Sequence, residues 1–131
     1  MPSYSIAQAA RLLGVSPETV RRWADNGRLA VERNGAGHRV IDGVALAAFV
    51  RKRATEAEGR ESEVATSVRN ALTGIVTAVR TDDVIAQVEI QAGPHRVVSM
   101  VSREAVDQLR LAPGITVTAR MKSTQVHIDL P

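Results

Sequence analysis

The sequence LGVSPETVRRW occupies residues 13–23 and decides the fold of the first half of the chain. Gly14 is a stop signal for the Ala-rich helical pattern before it, and the Ser-Pro pair at residues 16–17 supplies the N-cap and first position of a second helix. Val20 and Trp23 are spaced to face inward from that second helix. The stretch predicts two short helices with a tight turn, which is the geometry of a helix-turn-helix, although an ordinary helical hairpin with solvated arginines has the same spacing.

The flanking residues extend this pattern into a winged helix-turn-helix. Ser5 and Gln8 form the Ser-x-x-Gln pattern of a capping box at the start of the first helix. An Asn-Gly pair at residues 26–27 ends the second helix, and an Asn-Gly-rich tip at residues 33–39 lies between short apolar stretches. This tip predicts a small β-hairpin, the wing. Asp42 is then expected to cap a third helix.

Residues 4–53 resemble the winged helix-turn-helix of MerR-type and excisionase-type DNA-binding domains. The resemblance rests on the segments at residues 4–10 and 13–23 and on a Gly-His-Arg element at residues 37–39. It implies that the domain binds double-stranded DNA through Thr19, Arg21 and Arg22 of the second helix and through His38 and Arg39 of the wing. Trp23 is instead expected to fill the core, because the chain has one Phe and one Tyr.

A charged segment at residues 51–63 lacks large apolar residues. It predicts a helix end running into a solvated linker, with a fully ordered polar helix as the alternative. MerR-type regulators typically continue into a long dimerisation helix, but this segment is short and has no apolar heptad seam. We therefore divide the chain into a winged helix-turn-helix domain at residues 1–55, a charged linker at residues 56–63 and a second domain at residues 64–131.

Charge is distributed unevenly between the two halves, although the net charge is only +3. Residues 1–60 carry ten Lys or Arg against six Asp or Glu, and residues 61–131 carry seven against eight. A basic half joined to a nearly neutral half indicates that only the first half faces a polyanion.

The second half of the chain has the period of short strands. Apolar residues alternate with Thr, Gln, Glu or Arg, and turn signals occur at residues 81–83, 92–94 and 112–114. One or two helical turns capped by Ser102 interrupt this pattern. The pattern predicts a small OB-like barrel of five strands with one short helix. The fold class is therefore α+β in two domains, with a mainly helical domain first.

Residues 64–131 are similar to the Mop/TOBE family of molybdate-binding domains. The segments that carry the similarity are TSVRN at residues 66–70, LTG at 72–74, LRLAPG at 109–114 and MKST at 121–124. The resemblance implies an oxyanion site lined by Ser67, Arg69, Lys122 and Ser123, with Ser102 contributing from a neighbouring segment. Ala105 departs from the family, whose members often carry Ser at this position, so one hydroxyl donor is missing.

Molybdate or tungstate is the expected ligand, bound as an oxyanion without an organic cofactor. Hydroxyl donors, backbone amides and one or two cations are what a small tetrahedral dianion needs once it has lost its water. Molybdate and tungstate are nearly equal in size, so the site is expected to bind both, and to bind the smaller sulfate less well. The residues alone also allow an alternative, in which Arg69 pairs with Glu104 and Lys122 pairs with Asp107 as surface ion pairs.

The two resemblances together predict a molybdate- or tungstate-responsive DNA-binding transcriptional regulator. Sites in the Mop/TOBE family commonly lie between subunits, which implies a homo-oligomer held by the C-terminal domain and adds the burial that a small barrel lacks. Ligand at that interface would alter the placement of the DNA-binding domains. A cytoplasmic molybdate-storage or homeostasis protein with weak or no specific DNA binding is the alternative. An architectural or excisionase-like protein with a degenerate barrel is a third.

Composition and spacing argue against several other classes. The chain has no Cys, which removes disulfides, thiolate zinc sites and cysteine nucleophiles. Its three histidines show no ligand spacing, and no carboxylate pair or Ser-His arrangement can be assembled, so an enzyme is not expected. There is no recognisable signal peptide and no apolar run long enough to cross a bilayer, so we expect a cytoplasmic protein without a membrane partner.

Overall fold

The computed structural model describes residues 2–58 and 65–131. The chain divides into two compact units, Met1–Glu63 and Val64–Pro131. The N-terminal unit contains β1 (Ser3–Ser5), α1 (Ile6–Leu13), α2 (Pro17–Asp25), β2 (Glu32–Arg33), β3 (Arg39–Asp42) and α3 (Gly43–Glu58). The C-terminal unit contains β4 (Asn70–Thr81), β5 (Ile85–Ala92), β6 (His95–Ser102), α4 (Arg103–Leu109), β7 (Thr116–Met121) and a 3-10 turn (Ser123–Gln125). The predicted α+β class, with the helical region first, is confirmed.

The first two helices have the caps that the sequence predicts. The backbone N–H of Gln8 donates to Ser5 Oγ at 3.1 Å, and the N–H of Ser5 donates to Gln8 Oε1 at 2.8 Å, which completes the capping box. Gly14 ends α1 with a φ of 67°, a left-handed conformation that glycine adopts without steric strain. The N–H of Thr19 donates to Ser16 Oγ at 3.2 Å and caps α2. The predicted helix-turn-helix is therefore confirmed.

The wing is the antiparallel hairpin of β2 and β3, and β1 adds a third strand in the order β1-β3-β2. Asn34 closes the hairpin tip, because its Oδ1 accepts the backbone N–H of His38 at 3.0 Å. Asp42 caps α3 as predicted, since its Oδ2 accepts the N–H of Ala45 at 3.1 Å.

The third helix is longer than the predicted division of the chain assumes. It continues through Glu58, so residues 56–58 of the expected linker are helical, as in the alternative of an ordered polar helix. The rest of the expected linker, residues 59–63, lies outside the described residues. None of the helices in the described ranges is long and apolar enough to span a bilayer.

The core of the N-terminal unit is built around Trp23. This residue is 6% exposed, and its ring lies on that of Phe49 with centroids 5.1 Å apart. The other buried members are Ile6, Ala9, Ala10, Val20, Leu29, Ile41 and Leu46. Trp23 thus has the predicted core role, and its contact with Phe49 fixes α2 against α3.

The C-terminal unit is one curled antiparallel sheet in the order β6-β5-β4-β7. Its buried core consists of Val76, Ala86, Val88, Ile90 and Val106, the last of these from α4. The unit is an open half-barrel, because among the described residues no strand joins the free edge of β6 to that of β7.

The strand count differs from the predicted five. The tail after the 3-10 turn, residues 126–131, pairs with no strand among the described residues, and Ile128 and Leu130 are 90% and 92% exposed. The alternation of Val126, Ile128 and Leu130 is nevertheless a strand pattern. A strand also needs a neighbouring backbone to pair with, and this tail has none in the part of the chain that the structure describes.

Gly74 allows β4 and β5 to approach closely. A Cβ atom at this position would lie 2.3 Å from the carbonyl oxygen of Gln91. The register between the two strands shifts nearby, between Val76 and Ala78. Because the obstructing atom belongs to the backbone of a paired strand, no side-chain rotation relieves such a clash.

Replacing Gly74 with Ala is expected to destabilise the C-terminal unit by an amount at or above the upper end of the ~1–3 kcal/mol range for overfilled sites. Trp23 is the only Trp in the chain, so its fluorescence follows the N-terminal unit, whereas circular dichroism also follows the sheet. The urea midpoint of sheet unfolding, followed by circular dichroism, should move to a lower concentration. The urea midpoint followed by Trp23 fluorescence should stay the same. Gly35→Ala is the control, because an added Cβ there meets no atom within 4 Å. Unchanged sheet stability in Gly74→Ala would contradict the close approach.

The turn between β4 and β5 is held by Asp82. Its Oδ1 accepts the backbone N–H groups of Ile85 and Val84, both at 2.8 Å. These two hydrogen bonds, that from Ile85 first, hold the pKa of the Asp82 carboxyl below its usual value. A lowered carboxyl pKa means that the ionised group stabilises the fold above its unfolded-state pKa. This stabilisation is lost as the pH falls through the folded-state pKa.

Asp82→Asn is therefore expected to lower the urea midpoint of the sheet transition at neutral pH. The difference from the unsubstituted protein should shrink as the pH falls below about 3.9, the ordinary Asp pKa, because protonation then removes the same charge from both proteins. Asp83→Asn is the matched control, since the side chain of Asp83 is fully exposed and makes only a loose surface pair with Arg103, at 3.7 Å. Two outcomes would contradict the stabilising role of ionised Asp82. One is an equal change of the urea midpoint in Asp82→Asn and Asp83→Asn, and the other is a difference between Asp82→Asn and the unsubstituted protein that persists at low pH.

Candidate functional sites

The exposed face of α2 carries the predicted DNA-contacting arginines. Arg21 and Arg22 are both exposed, and Arg21 Nη1 lies 3.7 Å from Glu18 Oε1 in a loose surface pair. Arg22 has no ion pair within the described residues. Thr19 is half-buried, and its hydroxyl lies 2.8 Å from Ser16 Oγ, so it takes part in the helix cap. The two arginines are thus the side chains of α2 best placed to reach a base edge or a phosphate.

The wing is tied to the end of α2 by an ion pair. Arg39 Nη2 lies 2.8 Å from Asp25 Oδ1, and the Arg39 side chain is 33% exposed. Arg39 was expected to grip DNA, but in the structure its guanidinium is bound to Asp25. His38 is exposed at the wing, as expected of a contact residue. The sequence carried no signal for Asp25, because its partner lies in a different element.

Four of the five predicted oxyanion ligands come together at one end of the sheet. The register of β4 with β7 places Asn70 opposite Met121, and Asn70 Nδ2 donates to the Met121 carbonyl at 3.3 Å. The segment that leads into β4 therefore lies beside the segment that leaves β7. These segments carry Ser67 and Arg69, and Lys122 and Ser123, all of them exposed.

Local hydrogen bonds shape the first of these segments. Thr66 Oγ1 accepts the N–H of Val68 at 3.1 Å, and Arg69 Nη1 donates to the Thr66 carbonyl at 2.9 Å. A guanidinium has five N–H donors, so Arg69 keeps several for another acceptor. Lys122 immediately precedes the 3-10 turn, and its carbonyl accepts the N–H of Gln125 at 3.0 Å.

Arg69 and Lys122 form no ion pair within the described residues. The alternative pairs, Arg69 with Glu104 and Lys122 with Asp107, are not formed there. Two positive charges thus lie at the same end of the sheet without a carboxylate bound to either, which favours binding of an anion. In the same ranges, no three His, Asp or Glu side chains converge as metal ligands.

Ser102, the fifth predicted ligand, lies at the other end of the sheet. It pairs with Ile85 at the end of β5 that also adjoins Thr81 of β4, whereas Asn70 begins β4 at the opposite end. Its Oγ accepts the N–H of Ala105 at 3.1 Å and so caps α4, as the sequence predicts. Within one chain the antiparallel register therefore separates Ser102 from the other four residues.

Comparison with known proteins assigns each unit to a family. The TOBE domain family matches residues 66–128, and a helix-turn-helix domain family matches residues 3–54. Molybdenum-pterin-binding proteins 3 and 2 of Clostridium pasteurianum are 40% and 36% identical to this chain over 63 residues, which cover 47% of this chain and 93% of each relative. A molybdate-binding protein from Sporomusa ovata has a similar structure, with a TM-score of 0.50 at 27% identity over 51% of this chain and 100% of that one.

These matches confirm the predicted fusion of two domains. The clostridial relatives are matched over almost their whole length by 63 residues of this chain. The chain therefore belongs to the TOBE-domain family that includes these clostridial proteins, with a helix-turn-helix domain joined to its TOBE domain in one polypeptide.

Proposed function

We propose that this chain is a molybdate- or tungstate-responsive DNA-binding transcriptional regulator. The observation that carries the proposal is the pairing of β4 with β7, which brings Arg69 and Lys122 to one end of a TOBE domain. The same polypeptide presents Arg21 and Arg22 on the exposed face of a helix-turn-helix. The proposed activity is therefore the binding of two ligands, without catalysis.

The oxyanion is proposed to bind between the two cations. Arg69 and Lys122 supply positive charge, and Ser67 and Ser123 supply hydroxyl donors, a combination that satisfies a desolvated dianion without an organic cofactor. The names of the clostridial and Sporomusa proteins refer to molybdenum-pterin and to molybdate, which supports a molybdenum oxyanion as the ligand class here. Tungstate has the same shape and charge, and we expect it to bind similarly.

A site completed between copies of the chain is supported by Ser102. Since this serine lies at the opposite end of the sheet, it can approach the other four predicted ligands only from a second copy. The C-terminal unit also carries eleven of the fourteen exposed large hydrophobic side chains found among the described residues. An apolar groove of about 430 Å³ runs between the edge strands β6 and β7. We therefore propose a homo-oligomer held by the C-terminal unit.

The N-terminal unit is proposed to bind double-stranded DNA with α2 in the major groove. Oxyanion binding at a subunit interface would then change the placement of the DNA-binding units and so their affinity for paired half-sites. Such a role belongs in the compartment that holds the DNA, so we place the protein in the cytoplasm.

A molybdate-storage or homeostasis protein with weak or no specific DNA binding is the second candidate. It is favoured by one observation, namely that 63 residues, 47% of this chain, cover 93% of the length of the clostridial relatives. Those proteins therefore leave little chain for a DNA-binding unit. A store requires stoichiometric binding of the oxyanion but no coupling to DNA.

Removal of either cation is expected to weaken molybdate binding by about 2–5 kcal/mol, because the dianion is left desolvated beside a single positive charge. The variants that remove a cation are Arg69→Ala and Lys122→Ala. Ser67→Ala and Ser123→Ala remove a hydroxyl donor and leave both charges, so each should lose less binding free energy, about 1–3 kcal/mol. Isothermal titration calorimetry with molybdate, tungstate and sulfate measures these losses, with Arg11→Ala in the other unit as a control of equal charge change. Unchanged molybdate affinity in both cation variants would place the site elsewhere.

The ion pair between Arg39 and Asp25 is compatible with two roles for Arg39, and these roles predict opposite effects of Asp25→Asn on DNA binding. If Arg39 acts by holding the wing on α2, then Asp25→Asn should weaken DNA binding even though it removes a negative charge. If Arg39 instead grips phosphate directly, Asp25→Asn should free it and strengthen binding. We expect weaker DNA binding, measured by fluorescence anisotropy on a duplex selected from a random library.

Arg22→Ala tests base reading by α2. This variant should lose about 1–3 kcal/mol of binding free energy on the selected duplex and little on a mixed-sequence duplex.

A further inference from the structure

A second cationic surface lies at the C-terminal end of α2, among residues with no assigned role in binding. It surrounds a pocket of about 210 Å³ whose lining residues are Gly27, Arg28, Phe49, Lys52, Arg53 and Glu56. Three of these side chains are cations and one is an anion. The pocket is therefore positively charged, and we call it the α2-end pocket.

The backbone and side chains around the α2-end pocket are held in place by Trp23. The guanidinium carbon of Arg53 lies 4.8 Å from the centroid of the Trp23 ring, in a cation–π contact. The backbone N–H of Arg28 donates to the Trp23 carbonyl at 2.9 Å, which fixes the loop that follows α2. Phe49, which lines the pocket, packs against the Trp23 ring with centroids 5.1 Å apart. The cations thus stand on a rigid base formed by the core.

No carboxylate neutralises these cations within the described residues. The ion pairs found there, at a limit of 4.0 Å, include none of Arg28, Lys52 and Arg53. Glu56 lines the same pocket but is not within that distance of any of them. Clustered like charges repel one another, so an anionic ligand that entered the pocket would relieve this repulsion.

The length of α2 places this pocket near the wall of a DNA groove. Nine residues at 1.5 Å per residue make a helix about 13.5 Å long, close to the ~12 Å width of the major groove. When Arg21 and Arg22 in the middle of α2 contact base edges, the residues just beyond the last turn of the helix lie toward the phosphate backbone that borders the groove. The approach to the pocket is open at Gly27, where an added Cβ would have no neighbour within 4 Å.

We propose that Arg28, Lys52 and Arg53 form a clamp for backbone phosphates of DNA beside the C-terminal end of α2. This inference rests on the DNA-binding role proposed above and extends the contact surface beyond α2 and the wing. Because phosphates carry no sequence information, the clamp contributes affinity and salt dependence without selecting bases. Glu56 opposes the clamp by repelling the same phosphates.

The test measures the salt dependence of DNA binding by the full chain on a selected duplex and on a mixed-sequence duplex. The double variant Arg28→Ala/Lys52→Ala should make the plot of log affinity against log salt less steep by about 2, since each phosphate contact contributes about 0.9. The loss should be equal on the two duplexes. Arg53 is left in place because it packs on Trp23, and the emission of Trp23 checks that the variant is folded.

The matched control is Arg11→Ala/Arg51→Ala, which removes the same charge from α1 and α3. Arg11 and Arg51 are exposed but line other pockets, each of which includes Tyr4 and Leu12. Their removal should leave the slope nearly unchanged, whereas Glu56→Gln should raise affinity for both duplexes. An unchanged slope in the Arg28→Ala/Lys52→Ala protein, with DNA binding by the unsubstituted protein intact, would overturn the clamp alone. Failure of the unsubstituted protein to bind either duplex would overturn the DNA-binding role and the clamp with it.

Discussion

The antiparallel pairing of β4 with β7 is the constraint on which the C-terminal unit depends. Its register sets Asn70 opposite Met121, and the side chain of Asn70 bonds the Met121 carbonyl across a separation of 51 residues. A shift of one residue in this register would turn every side chain of β7 to the other face of the sheet. The two cations would then no longer be presented together. The proposed oxyanion site therefore depends on strand register, and Gly74 supports that register by allowing β5 to lie close to β4.

Trp23, a buried aromatic residue, is as important for the N-terminal unit as the pairing of β4 with β7 is for the C-terminal unit. Trp23 contacts Phe49 of α3, bonds the loop at Arg28 through its carbonyl and supports the guanidinium of Arg53. Two turns of α2 are thereby held in one orientation, and the ion pair of Asp25 with Arg39 holds the wing beside them. The DNA-binding geometry proposed here is thus maintained by the core and by one ion pair, and the exposed arginines need only face outward.

Features whose partners lie close in sequence were predicted correctly. The caps formed by Ser5, Ser16 and Asp42 each bond a backbone N–H three residues later, so both members of the bond are visible in one short window. The resemblance to the TOBE family identified the two cationic segments, and the register explains why they meet.

Features that depend on distant partners were not predicted from the sequence. The ion pair of Arg39 with Asp25 was not predicted, since nothing in the local sequence of Arg39 indicates Asp25. The separation of Ser102 from the cationic segments within one chain was not predicted either, because it follows from the register of β5 with β6. The tail at residues 126–131 has the alternation of a strand, but alternation describes one strand and not the neighbour that must pair with it.

Coupling between the two units distinguishes a regulator from a store. The direct measurement is the affinity of the full chain for a selected duplex without molybdate and with molybdate at a saturating concentration established by calorimetry. A regulator should show a change of about 5- to 150-fold, and the duplex should change molybdate affinity by the same factor because the linkage is reciprocal. Sulfate at the same concentration, and molybdate with Lys122→Ala, should produce no such change. Identical DNA affinity with and without saturating molybdate would contradict the regulatory role and favour storage.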